Sequence, residues 1–252
     1  MSFDVPADAY WQFMGRFSEQ LATQFGAFLR LTPGQRVLDV GCGPGALTAV
    51  LAAELGAESV SAIDPSPSFV ASVRDRLPGV DVRQGAAEAL PWPDDSFNCA
   101  AAQLVVQLMT DPAVGIAEMA RVTREGGTVA ATVWDFAGGT APVSMLWRAA
   151  REVDPAAPDK DDQPGGRDGQ LADILCQTRL TEIESTALTV NFRFESFGQW
   201  WAPFTLGVGP PGAYVASLSD EHRTALREAC ARLLPEAPFT LTARSWTTRA
   251  RV

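Results

Sequence analysis

Arg36-Val37-Leu38-Asp39-Val40-Gly41-Cys42-Gly43-Pro44-Gly45 is the stretch that decides how this chain folds. Val37, Leu38 and Val40 form the short apolar run of a parallel strand covered on both faces. Gly41, Gly43 and Gly45 then remove Cβ atoms where a turn must be tight, so that a ligand can approach bare backbone. Ala46 to Leu55 consists mostly of good helix formers and ends at Gly56, a plausible C-terminal stop. The spacing predicts a strand, a glycine turn and a helix beginning near Ala46, which together make a ligand-binding unit.

The glycines alone are ambiguous. A dinucleotide fingerprint, Gly-x-Gly-x-x-Gly or its looser form ending in Ala, is satisfied with Ala46 in the sixth position. Asp39 before the turn and Cys42-Gly43-Pro44-Gly45 within it separate the possibilities. With them the sequence resembles the class I S-adenosylmethionine (SAM)-dependent methyltransferases, whose first motif reads Val-Leu-Asp-x-Gly-x-Gly-x-Gly. That resemblance implies an α/β fold, a doubly wound, mostly parallel, seven-stranded Rossmann-like sheet. It places the glycine turn against the methionine part of SAM, with Asp39, Gly41, Cys42, Gly43 and Gly45 as cofactor residues.

Composition sets the bounds. A length of 252 residues suits one large α/β domain over 1–252, carrying an inserted cap, and is ample for a buried core. The formal net charge of -10 argues against a partner gripped by its phosphates, which takes clustered Lys and Arg, so no nucleic acid is expected. No run approaches the roughly 20 apolar residues of a membrane span, and the start, with Asp4 and Asp8, lacks a basic segment followed by an apolar one. No membrane partner is expected, and the expected location is the cytoplasm. Cys42, Cys99, Cys176 and Cys230 are widely spaced and there is a single histidine, a pattern that suggests neither a disulfide framework nor a metal site.

Residues 7–31 carry Tyr10, Trp11, Phe13, Met14, Phe17, Leu21, Phe25 and Phe28 at intervals near three and four, a helical cover broken near Gly15. Its start, Tyr-x-x-Phe-Met-Gly-Arg-Phe-Ser, resembles the segment that covers the SAM pocket in small-molecule methyltransferases. The resemblance implies Tyr10 and Met14 near the methyl acceptor and Arg16 on the methionine carboxylate. Ser59 to Ile63 reads as a second buried strand ending at Asp64-Pro65-Ser66. Asp64 lies 19 residues beyond Gly45, close to the ~20 expected of a carboxylate that bonds ribose hydroxyls. An N-cap for the helix beginning at Ser68 is the competing role.

A third strand is predicted over 79–84. The tract Gly85-Ala86-Ala87-Glu88-Ala89-Leu90-Pro91-Trp92-Pro93-Asp94-Asp95-Ser96-Phe97-Asn98 then resembles the family's Gly-Asp-Ala-Glu-x-Leu-Pro-Phe-x-Asp-x-Ser-Phe-Asp signature. Ala86 departs from it, standing where an acidic residue commonly bonds the adenine amine. Adenine recognition then falls to backbone around Ala87 and Glu88. Cys99 to Leu108 covers the fourth strand and the start of the next connection, with Gln103 at the edge facing the transferable methyl and Gln107 toward the acceptor. A helix over 112–124, an exit turn at Gly126-Gly127 and a strand over 128–134 complete a SAM-binding core of 36–136.

Beyond it the sequence predicts a helix over 142–153, a mobile acidic loop over 154–169, strands over 180–194 and 239–252, and a substrate-covering helical and aromatic insert, 195–236, between those last two strands. Trp200 and Trp201 are its candidates for facing substrate, and a helix over 219–234 begins near His222.

The function these readings imply is methyl transfer from SAM to a small-molecule acceptor, releasing S-adenosylhomocysteine (SAH). Displacement at a sulfonium methyl asks chiefly for alignment and exclusion of water, and proximity of that kind supplies roughly 7–11 kcal/mol. No general base is obligatory; Tyr10 and His222 are the weak candidates for one. The rivals are an NAD-dependent oxidoreductase, which leaves the tract from Gly85 to Phe97 unexplained, and a regulatory protein that binds SAM without chemistry. Either a monomer or a homodimer is compatible with the sequence.

Overall fold

The computed structural model describes residues 11–252. Tyr10, expected near the acceptor and as a candidate base, lies outside the described residues, as does the start of the 7–31 segment. A π-helical turn, Trp11–Gly15, leads into α1, Arg16–Leu29. The break near Gly15 is therefore a change of helical pitch, and a Cβ there would run into the Trp11 ring.

β1, Val37–Val40, is buried throughout. Val37 packs on one face with Leu47, Leu51 and Phe25, while Leu38 and Val40 pack on the other with Ile116 and Met119. That two-sided burial is what the unbroken apolar run required. The glycine turn leads into α2, Ala46–Leu55, then β2, Val60–Asp64, α3, Pro67–Arg76, β3, Asp81–Gln84, and β4, Phe97–Gln103. Then come α4, Pro112–Val122, β5, Thr123–Trp134, α5, Ser144–Val153, α6, Gln170–Cys176, and β6, Thr181–Phe194. The cap comprises α7, Phe197–Trp201, a 3-10 turn over Ala202–Leu206, α8, Gly209–Ser217, and α9, Asp220–Leu233, before β7, Phe239–Arg251.

The seven strands form one sheet in the order β3-β2-β1-β4-β5-β7-β6. β7 runs antiparallel to both neighbours and the other pairings are parallel. The chain runs outward from β1 to β3 and then returns to β4 on the other side of β1. The glycine turn thus sits where the strand order reverses, the place at which open α/β sheets bind ligands. Among the described residues no helix is long and apolar enough to cross a membrane.

Three departures from the sequence reading have local causes. α4 ends at Val122 because Thr123, β-branched and buried, donates its Oγ1–H to the Met119 carbonyl at 2.8 Å and enters the sheet opposite Phe97. Gly126 and Gly127 accordingly lie inside an irregular strand and are not an exit turn after a helix. The turn-rich appearance of 207–212 conceals the start of α8, whose first turn holds Pro210 and Pro211, where a missing N–H breaks no intrahelical bond. The segment 154–169 is tied to the body: Arg151 reaches Asp161 at 2.9 Å, and the Gly166 carbonyl accepts from Ala137 N–H at 3.1 Å.

Candidate active site

A cleft of about 260 Å³ opens at the carboxyl ends of β1, β2 and β4, bounded by Gly41, Gly43, Asp64, Ala86, Glu88 and Gln103, among others. Gly41 and Gly43 both have positive φ, at 70° and 53°. A side chain on Gly41 would collide with Val105, whereas at Gly43 nothing lies within 4 Å of an added Cβ. The open side of Gly43 faces the cleft it lines, so its missing side chain leaves space there. Asp64 closes the floor. Its Oδ2 accepts from Gly43 N–H and its Oδ1 from Ser66 N–H, both at 2.8 Å. Each oxygen keeps a second lone pair, so the carboxylate can fix the turn and still accept hydroxyl hydrogens. Burial pushes the Asp64 carboxyl above its ordinary range, partly offset by those two N–H bonds.

Pro65, Ser66 and Ala87 line the same cleft, as the sequence reading placed them. Glu88 also borders it, but its Oε1 accepts from Thr110 N–H at 2.7 Å and anchors the loop after β4. With Ala86 exposed and side-chain-poor, this end of the cleft presents mainly backbone. Gln103 donates its Nε2–H to the Ser18 carbonyl at 3.1 Å, fastening α1 to the end of β4, and among the described residues its buried Oε1 has no donor.

Several predicted site residues fall elsewhere. Arg16 lies over the Phe192 and Phe194 rings, 5.4 and 5.8 Å from their centroids, and does not line the cleft. The aromatic face that β6 offers to α1 captures its guanidinium. The Cys42 side chain turns to the opposite side, into Ala62, Val70, Val73 and Val82, where desolvation pushes its thiol well up. Gly45 gives close approach to α3, with Val73 3.0 Å from where its Cβ would be. Trp200 and Trp201 are buried with Phe204 and Phe197 as the core of the cap, because their large apolar area is worth more covered. His222 is exposed on the first turn of α9, its Nδ1 2.8 Å from the capping hydroxyl of Ser219. That position suits a cap and offers no access to the cleft.

Asp39 is 1% exposed and lies behind the turn. Thr48 of α2 donates to its Oδ2 at 2.6 Å, clamping helix to strand, while Oδ1 has no partner. Desolvation raises its pKa to about 7, against the lowering effect of Thr48, with a further rise from the Asp64 charge. An unfolded Asp loses its proton near pH 4, so between about pH 4 and 7 the folded state holds the extra proton and stability falls as pH rises. This one group should cost roughly 2 kcal/mol between pH 5.5 and 8. Urea unfolding at those two pH values should show a smaller drop for Asp39→Asn than for wild type. Equal drops in both proteins are the result that counts against this account.

A second cavity of about 110 Å³ shares Leu104 and Leu108 with the first. It is lined by Phe13, Met14, Gln107, Trp134, Phe136, Val143, Trp147, Lys160, Gln163, Pro210 and Pro211. Met14 and Gln107, expected near the acceptor, both line this cavity. The sequence reading missed Leu104, Trp134 and Lys160. Leu104 has φ +62°, a left-handed conformation costly for a leucine, at the junction of the two cavities. Nothing in the residue type signals it. Trp134 was visible as the end of β5, where the rule about carboxyl ends would have found it.

Residues 38–131 match the methyltransferase domain family Methyltransf_11. A ubiquinone/menaquinone biosynthesis C-methyltransferase of Stenotrophomonas maltophilia is 38% identical over 122 residues, 46% of this chain and 47% of that protein. A demethylmenaquinone methyltransferase of Chlorobaculum parvum is 37% identical over 92 residues, 36% of this chain and 38% of that protein. The chain thus spans less than half the length of the curated relatives it matches. In fold it is similar to a putative methyltransferase from an antibiotic biosynthesis pathway of Anabaena variabilis, with TM-score 0.63, 18% identity and coverage of 91% of this chain and 96% of that one.

Proposed function

We propose that the chain, whose residues 38–131 match a methyltransferase domain family, is a class I SAM-dependent methyltransferase that transfers a methyl group from SAM to a small molecule seated in the second cavity. The observation that carries this is the pair of cavities meeting at Leu104 and Leu108. The larger fits the cofactor on its own chemistry. Gly43 leaves room where a Cβ would stand, and Asp64 keeps lone pairs for hydroxyls. In this reading Gly41 and Gly43 pass along the methionine portion, Asp64 holds the ribose, and backbone at Ala86 to Glu88 meets the adenine. SAM, when bound, supplies an electrophilic sulfonium methyl for in-line displacement.

The chain's own part is positional. Gln103 at the rim of the cleft ties α1 to the end of β4 through the Ser18 carbonyl, which fixes the side of the site where the two cavities meet. The apolar walls of the second cavity hold the acceptor against the shared Leu104. The names of the curated relatives, which refer to ubiquinone and menaquinone, also favour a ring-bearing acceptor. Calorimetric titration with SAH and with NAD, followed by assay of SAH release from SAM over a metabolite panel, tests the reading. SAH should bind and NAD should not; tight NAD binding without SAH binding is the outcome that sinks it, and SAH binding with no acceptor turned over would favour a regulatory protein.

A further inference from the structure

Lys160 is the only lysine in a sequence of net charge -10, and it lines the second cavity. Its natural partners are the adjacent Asp159, Asp161 and Asp162, yet each of them is taken by an arginine. Arg151 lies 3.5 Å from Asp159 and 2.9 Å from Asp161, and Arg167 lies 3.7 Å from Asp162. Among the described residues no carboxylate comes within ion-pair distance of the Lys160 ammonium, although its side chain is half-buried. A half-buried cation in this position is suited to an anion that the described residues do not provide.

Among the described residues, two further lining side chains each hold a polar atom without a partner, both atoms closed off from solvent. Trp134, 3% exposed, has an indole Nε1–H with no acceptor. Gln107 uses its Nε2–H on the Leu104 carbonyl at 2.8 Å and leaves its buried Oε1 with no donor. Among the described residues it is thus the Lys160 ammonium, lining the cavity with no carboxylate beside it, that sets the charge of what should enter. Phe13, Phe136 and Trp147 supply aromatic walls.

We propose that the methyl acceptor is a hydroxylated aromatic carboxylate. Its negative charge pairs with Lys160, its ring lies among the aromatic side chains, and a ring hydroxyl is the nucleophile that methyl transfer requires, its proton passing to solvent. Lys160 is thereby the residue that selects an anionic acceptor over a neutral one of the same shape. This rests on the methyltransferase reading above, and the test separates the two.

Protein saturated with SAH is titrated calorimetrically with isomeric hydroxybenzoates and hydroxycinnamates, and with the corresponding neutral amides. Wild type should bind at least one carboxylate about tenfold or more tighter than its amide. Lys160→Met, which keeps the apolar stem, should lose that preference while binding SAH as wild type does, and Lys160→Arg should retain it. Equal binding of carboxylates and amides, no carboxylate binding at all, or an unchanged preference in Lys160→Met overturns the proposal. If SAH itself fails to bind the wild type, the methyltransferase reading falls, and this inference falls with it.

Discussion

Gly43→Val should give a folded protein whose affinity for SAH is lower by at least about 100-fold, equivalent to roughly 2.7 kcal/mol. Folding should survive because none of the described residues lies within 4 Å of the new Cβ. The same emptiness is why binding should fail: the branched side chain projects into the space left for the cofactor. The backbone at φ +53° adds strain for a β-branched residue, which complicates the reading of Val alone. Gly43→Asn removes that complication, since Asn tolerates the left-handed region well, and it should lose binding too. Calorimetry with SAH, with thermal unfolding as the check on folding, decides the matter. An Asn variant that binds SAH like wild type would show that the glycine serves only the turn.

Asp64→Ala is the second large effect. A hydrogen bond to a charged acceptor is worth about 1.5–3 kcal/mol, so SAH affinity should drop by roughly 10- to 150-fold. The structure adds a second reason, because the same carboxylate holds Gly43 N–H and Ser66 N–H. Losing it loosens the turn as well as the proposed ribose contact. Asp64→Asn divides these roles: its single amide oxygen can keep one of the two backbone bonds, while its NH2 opposes the other donor. It should bind SAH more weakly than wild type. Folded Asp64→Ala protein with wild-type affinity would refute the assignment.

Much of the larger cleft was legible in the sequence because it is built from contiguous stretches. A buried strand must be apolar on both faces, a tight turn needs glycine, and an acidic residue at the end of the next strand falls beside that turn whenever the strands are adjacent and parallel. Those rules put Gly41, Gly43, Asp64, Pro65 and Ser66 around one space, and the structure brings them together there. The local rules gave less about side-chain direction within the turn. Cys42 points to the far side, where Ala62, Val70, Val73 and Val82 accept it, and Asp39 is covered by Thr48. Both lie in the motif, yet neither lines the cleft.

The acceptor side depended on contacts between distant segments. Arg16, seen in the sequence as a cation near a predicted pocket, is drawn to Phe192 and Phe194, more than 170 positions away. Trp200 and Trp201 stand out by composition, but the cap has its own core to fill and they fill it. Lys160 is inconspicuous among aspartates until Arg151 and Arg167 are seen to take them all. The sequence by itself determined the sheet, the glycine turn and the carboxylate opposite it, since each follows from backbone geometry and burial over a few consecutive residues. Only the tertiary structure decided which polar groups were left without partners, because satisfaction of a charge or an N–H depends on every segment that packs against it.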